Sequence, residues 1–163
     1  MHNLCGERYP DFYFAILAPM IRSIENVKEQ DALWKKALSL FGRRHDLAAG
    51  VLDQRARMWQ AAGEPARAGR QYELIIERYA NAGPFVLRAL SSAERILVEG
   101  RQPRKVLELY DQAYRRIDRP KQSAGPFFRQ SNFFKVGRRY AERLDGAGLG
   151  RQAAMIRREI GDG

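Results

Sequence analysis

Sulfur and imidazole chemistry are nearly missing from this chain, which has one cysteine, Cys5, and two histidines, His2 and His45, among 163 residues. A single thiol cannot build a disulfide framework, and these three residues cannot supply the paired ligand spacings of a structural zinc site. Long apolar runs are missing too. The most apolar stretch, residues 12–21, is interrupted by Pro19 and has ten residues, whereas crossing a bilayer takes about 20. Residues 1–11 hold Glu7, Pro10 and Asp11 and no cationic leader, so a secretory signal is not expected and the expected location is cytoplasmic, with no membrane partner. Sustained period-two alternation, the mark of a half-buried strand, is absent as well.

Catalytic patterns are equally sparse. Cys5 and His2 are neighbours near the chain start with nothing to orient them as a nucleophile and base. His45 precedes Asp46, which is read as a helix cap. Glu73 and Glu77 alternate with Arg70 and Arg78, the pattern of a solvated helix face. Gly146, Gly148 and Gly150 lack the following Lys-Ser or Lys-Thr of a phosphate-cradling loop. The expectation is a noncatalytic protein with no cofactor and no metal.

What the sequence does contain is helical periodicity. Apolar residues recur every three or four positions almost throughout, which predicts an all-α fold of about eight helices in one domain. The first helix spans about 11–24, with a kink or break at Pro19. Asn26 and Glu29 have capping-box spacing ahead of Val27, Trp34, Ala37 and Phe41. Asp46 caps a third helix carrying Leu47, Val51, Leu52 and Trp59. Pro65, Pro84 and Pro103 sit where first turns begin, and each opens a further helix. Residues 118–126 read as the longest connection. Ser131 or Asn132 starts a seventh helix with Phe133, Val136, Gly137 and Tyr140 inward, and the last helix runs from Arg151 to Ile160.

These helices fall into four pairs, about 11–43, 47–80, 84–118 and 127–160. Two turns share a Gly stop and a Pro start, Gly63-Glu64-Pro65 and Gly100-Arg101-Gln102-Pro103. The second is one residue longer. Past each turn a small or β-branched residue precedes a tyrosine by four positions, at Ala68/Tyr72 and Val106/Tyr110. Trp34, Trp59, Tyr72 and Tyr110 lie on apolar stripes and are read as core.

Over Leu52 to Tyr79 the chain resembles a tetratricopeptide repeat: Ala56, Trp59, Gly63, Ala68, Tyr72 and Ile75 occupy that pattern's small, aromatic, turn, small, aromatic and aliphatic positions. Pro65, the late Pro84 and Val106 in place of Ala depart from it. The resemblance implies stacked antiparallel hairpins in a right-handed superhelix that binds a protein or peptide. It also implies a groove lined by the first helix of each pair: Asp53, Arg57 and Gln60, then Leu87, Leu90 and Glu94, then Lys135, Arg138 and Glu142. The apolar first helix, with Phe12, Tyr13 and Phe14, calls for a capping element or a second chain.

Charge sharpens the expectation. The net charge is +10, and residues 115–158 hold twelve basic and three acidic side chains, so almost the whole excess lies in the last third. Lys135, Arg139 and Arg143 follow at four-residue steps, which makes one exposed ridge with Arg138 beside it. Arg129 follows Phe127 and Phe128. A basic groove predicts a partner protein or peptide with acidic residues. The alternative is a nucleic acid or other polyanion held by the arginine-rich surface, although 23 Arg against 6 Lys also suits compositional background.

Overall fold

The computed structural model describes residues 10–120 and 126–162. Among the described residues the chain folds into nine helices and no strand. These are α1 (Pro10–Arg22), α2 (Val27–Phe41), α3 (His45–Ala61), α4 (Pro65–Arg78), α5 (Pro84–Glu99), α6 (Pro103–Arg116), α7 (Pro126–Gln130), α8 (Asn132–Gly146) and α9 (Gly150–Ile160). The all-α expectation holds. No helix among the described residues is long and apolar enough to cross a membrane. His2 and Cys5 lie outside the described residues, as does most of the connection expected at 118–126.

Three local expectations need correction. Of the kink or break expected at Pro19, the break does not occur, since α1 runs on to Arg22. Pro19 and Ala15 are both exposed, so the carbonyl that loses its N–H partner to the proline ring can be hydrated. Asp46 does not cap α3; Arg44 occupies the cap position without a side-chain bond, and Asp46 lies inside the first turn, where its charge still complements the helix dipole. Finally, α7 forms at a site read as the end of a loop. Asn26 and Ser131 do cap. Asn26 Oδ1 accepts from the N–H groups of Lys28 and Glu29 at 3.0 and 3.2 Å, and Ser131 Oγ accepts from Phe134 N at 3.2 Å.

Each helix from α1 to α5 packs on the next in the chain, and α7 and α9 both pack on α8. In addition α1, α3, α5 and α8 touch one another in series, and α6 contacts both α4 and α8. Between these rows lies one continuous core that includes Trp34, Leu52, Tyr72, Ile75, Leu90, Tyr110 and Leu144. Burying side chains such as Ile75 and Ile76, both fully inaccessible, contributes about 1.5–3 kcal/mol each. Gly137 is needed where α8 meets α6 and α9, because a Cβ there would stand 2.7 Å from Ile160 Cγ2 and 2.8 Å from Tyr114 Cε2.

The turns repeat more closely than their sequences suggest. After α3, Gly63 is left-handed (φ 73°), its N–H bonds the Gln60 carbonyl at 3.1 Å, and Glu64 N bonds the Trp59 carbonyl at 2.9 Å. After α5, Arg101 is left-handed (φ 55°), with Arg101 N on Val98 O at 3.0 Å and Gln102 N on Leu97 O at 2.8 Å. After α8, Gly148 (φ 77°) and Leu149 make the same two bonds to Asp145 and Leu144. All three are Schellman closures, and in each the residue after the left-handed one is also the N-cap residue of the next helix. The turn at 100–103 is therefore no longer than that at 62–65. Arg101, not Gly100, is the counterpart of Gly63.

Candidate functional site

A cleft of about 430 Å³ opens between α3, α5 and α8, with Tyr72 of α4 reaching its floor. Asp53 on α3 is its one acidic lining residue, and the carboxylate is only 2% exposed. Its Oδ2 receives Arg57 Nε at 3.2 Å from one turn further along α3, and lies 3.7 Å from Arg88 Nη2 on α5. Both guanidinium groups stay about half exposed, at 52% and 47%. The Arg88 guanidinium also lies over the Phe85 ring, 4.8 Å from its centroid, which fixes the side chain along the wall.

The third cation comes from α8. Arg139 Nη1 donates to Ser91 Oγ at 2.9 Å, and that hydroxyl donates in turn to the Leu87 carbonyl at 3.0 Å. On the floor, Tyr72 OH donates to Gln60 Oε1 at 3.0 Å, which orients the Gln60 amide nitrogen away from the tyrosine. Burial, opposed by the Ser92 hydroxyl, raises the Tyr72 phenol above its ordinary value, so it stays a neutral donor at physiological pH. The arrangement is a polar cleft walled by three guanidinium groups.

A second depression, about 390 Å³, lies further along the same α5 and α8 seam, where the start of α6 joins it. Val98, Pro103, Val106 and Leu107 give it an apolar wall. Glu94 at its edge accepts from Arg143 Nε at 2.6 Å and from Tyr110 OH at 2.8 Å.

The expected groove and ridge residues separate accordingly. Asp53, Arg57, Gln60, Leu87 and Arg139 converge on the first cleft, while Glu94, Glu142 and Arg143 border the second. Leu90 lines neither, because it is completely buried. The cause is the turn register: counted back from the aligned closures, Leu90 is the counterpart of Leu52, itself 1% exposed, and Ser91 is the counterpart of Asp53. Arg138 is exposed and pairs along its own helix with Glu142 at 3.5 Å. Lys135 and Arg129 are exposed and line neither depression. Arg88, Ser91, Ser92 and Tyr72 were not expected in the site; placing Arg101 opposite Gly63 in the sequence is the step that brings Ser91 into it.

The basic last third is less free than its composition suggests. Arg115 pairs with Asp111 at 2.8 Å, Arg119 with Glu159 at 3.4 Å, Arg143 with Glu94, and Arg157 with Asp145. Arg116 donates to the Glu77 carbonyl at 2.7 Å. Three of these acids, Asp111, Glu94 and Glu159, lie outside residues 115–158, so the local charge surplus is partly answered by acids beyond that span. At the opposite end α1 presents Phe12, Ile16 and Met20 to solvent at 69%, 48% and 62%, while Phe14 turns inward against Phe41.

His45 opens α3 and meets the Tyr79 ring edge-on at 5.6 Å. Among the described residues no group of three or more His, Cys, Asp and Glu side chains is placed to hold a metal ion. No protein-family model matches the chain, and no curated protein matches it.

Proposed function

We propose that this chain is a noncatalytic binding module that holds an acidic segment of a partner protein in the α3, α5 and α8 cleft. The observation that carries the reading is the convergence of Arg57, Arg88 and Arg139 on a cleft whose one acidic lining residue, Asp53, is buried. Guanidinium groups that are half exposed yet fixed by Asp53, Phe85 and Ser91 are preorganised for carboxylates, so less side-chain entropy is lost on binding. The tetratricopeptide-like arrangement belongs to the same proposal. It is supported by the recurring closures and by the serial contacts of α1, α3, α5 and α8, which are the first helices of the expected pairs. A cytoplasmic setting and a scaffold role are part of it.

The polyanion alternative has less support, because Arg115, Arg119, Arg138, Arg143 and Arg157 each have an acidic partner. Fluorescence anisotropy decides between the two. Labelled peptides rich in Glu and Leu, matched basic peptides and a single-stranded oligonucleotide are titrated at 50 and 200 mM salt. Preferential binding of the acidic peptides, weakened at least tenfold by Arg88→Glu and by Arg139→Glu with unchanged helix content, supports the cleft. Acidic-peptide binding indifferent to both substitutions removes it, and tighter oligonucleotide binding with a steep salt dependence replaces it with the polyanion reading.

A further inference from the structure

The cleft holds more positive charge than a single carboxylate would use. Arg57 and Arg88 share one anion, Asp53, and Arg139 is held by a neutral hydroxyl, so three cations face one buried carboxylate and two positive charges are left over. Ser91, which fixes Arg139, is one helical turn beyond Arg88, a spacing that places side chains about 5–6 Å apart. The three guanidinium groups therefore border one space, and the Gln60 amide nitrogen has no partner among the described residues.

From this geometry we infer that the cleft takes a phosphomonoester, carried on a phosphorylated serine or threonine of the bound segment; the inference rests on the peptide-binding reading above. A phosphomonoester at neutral pH carries a charge of about −1.5 to −2 and three acceptor oxygens. That charge matches the two uncompensated cations. Its oxygens match guanidinium forks, each of which offers several N–H donors beyond those engaged by Asp53 and Ser91. A lone carboxylate, with one charge and two oxygens, leaves one guanidinium unmatched. Asp53 acts as the internal anion that keeps Arg57 and Arg88 together before the ligand arrives, and Leu87 supplies an apolar contact on the wall for the carbon atoms of the ligand side chain.

The phosphoryl group also gives the site a pH signature. Its second pKa is about 6, whereas a glutamate side chain stays ionised down to about 4.3. The titratable groups lining the space are Asp53, Arg57, Tyr72, Arg88 and Arg139, none of them histidine, and Arg95 acts on Tyr72 without lining it.

The test uses the whole chain and three degenerate nine-residue peptide libraries, fixed at the centre as phosphoserine, as Glu or as Glu-Glu, with inorganic phosphate and an oligonucleotide as competitors. Phosphoserine peptides are expected to bind at least tenfold more tightly than either glutamate library at pH 7.5. That preference should shrink severalfold at pH 5, and Arg88→Gln and Arg139→Gln should each weaken phosphoserine-peptide binding more than glutamate-peptide binding, bringing the preference below about threefold, while thermal melting changes little. Equal binding of phosphoserine and glutamate libraries overturns the phosphoryl inference and leaves the acidic-peptide reading standing. Failure of all three libraries overturns both. Binding of inorganic phosphate or oligonucleotide at concentrations where phosphoserine peptides do not bind overturns the peptide source of the phosphoryl group.

Discussion

Tyr110 on α6 donates its hydroxyl to Glu94 on α5 at 2.8 Å, and the same carboxylate accepts Arg143 from α8, so one acid joins three helices. Burial first, then the hydrogen bond and charge of Glu94, push the Tyr110 phenol up to about 12. Because the folded value is raised above the unfolded one, the associated stability is complete below pH 10 and is lost as pH rises through about 12. Tyr110→Phe should cost about 1 kcal/mol in urea unfolding at pH 7 and should flatten the alkaline limb of the stability profile. An unchanged alkaline limb would mean that the hydrogen bond does not survive in solution.

Arg101 carries a positive φ of 55° at a turn position that Gly63, Gly148 and Gly161 occupy elsewhere. A side chain in that region is strained by about 1–2 kcal/mol, partly offset by the extra freedom glycine brings to the unfolded chain. Arg101→Gly is therefore expected to raise stability by about 0.5–1 kcal/mol. Gly63→Ala should lower it by a similar amount. Thermal melts of the two variants check both signs, and a destabilised Arg101→Gly would contradict the left-handed assignment.

Substituting alanine for glycine inside a helix ordinarily stabilises it by up to about 1 kcal/mol. At Gly137 the opposite is expected, since the added Cβ would press on Ile160 and Tyr114 at under 3 Å. Overpacking of this kind costs about 1–3 kcal/mol, more than the propensity gain. Gly137→Ala should lower the midpoint of denaturant unfolding; a rise would show that α9 can shift to accommodate a methyl group.

Asp31 on α2 joins Arg55 on α3 at 2.6 Å and Lys35 at 2.9 Å, and Arg55 reaches on to Gln71 of α4 at 3.0 Å. Burial alone would raise the Asp31 carboxyl, but the hydrogen bonds and charges of Arg55 and Lys35 outweigh it and hold the group below its usual value. Its folded value is thus lower than its unfolded one, so its contribution is present above about pH 4 and is lost as pH falls through the folded value. Asp31→Ala strands the Arg55 guanidinium, 13% exposed, and should cost about 3 kcal/mol. Unfolding measured from pH 7 to pH 2 should show a smaller acid loss in this variant than in the parent chain.

Much of the fold was legible because helices announce themselves locally. Period and caps located eight of the nine described helices, and prolines at first turns gave their starts. The α7 helix was hidden because five residues are too few to show a period. The site was legible only in part. Arg57 and Leu87 followed from placing groove positions on first helices and Arg139 from the basic ridge at four-residue steps, but Gly100 and Gly63 looked equivalent, and that equivalence exchanged Leu90 for Ser91. A left-handed arginine carries no compositional mark. The interhelix pairs of the last third were equally invisible, since Arg143 meets Glu94 only after α5 and α8 are brought together.

The fused closures make chain length, as well as residue identity, a specified property. Glu64, Gln102 and Leu149 each end one helix and begin the next, so there is no slack between them. One residue inserted between Gly63 and Pro65 would turn α4 by about 100° and carry Tyr72 and Ile75 off the face that meets α3. Segments exchanged between helices of this chain would have to be cut at matching positions of two closures to keep their inward faces inward. The connectors thus set the boundaries at which the molecule could be shortened, extended or recombined.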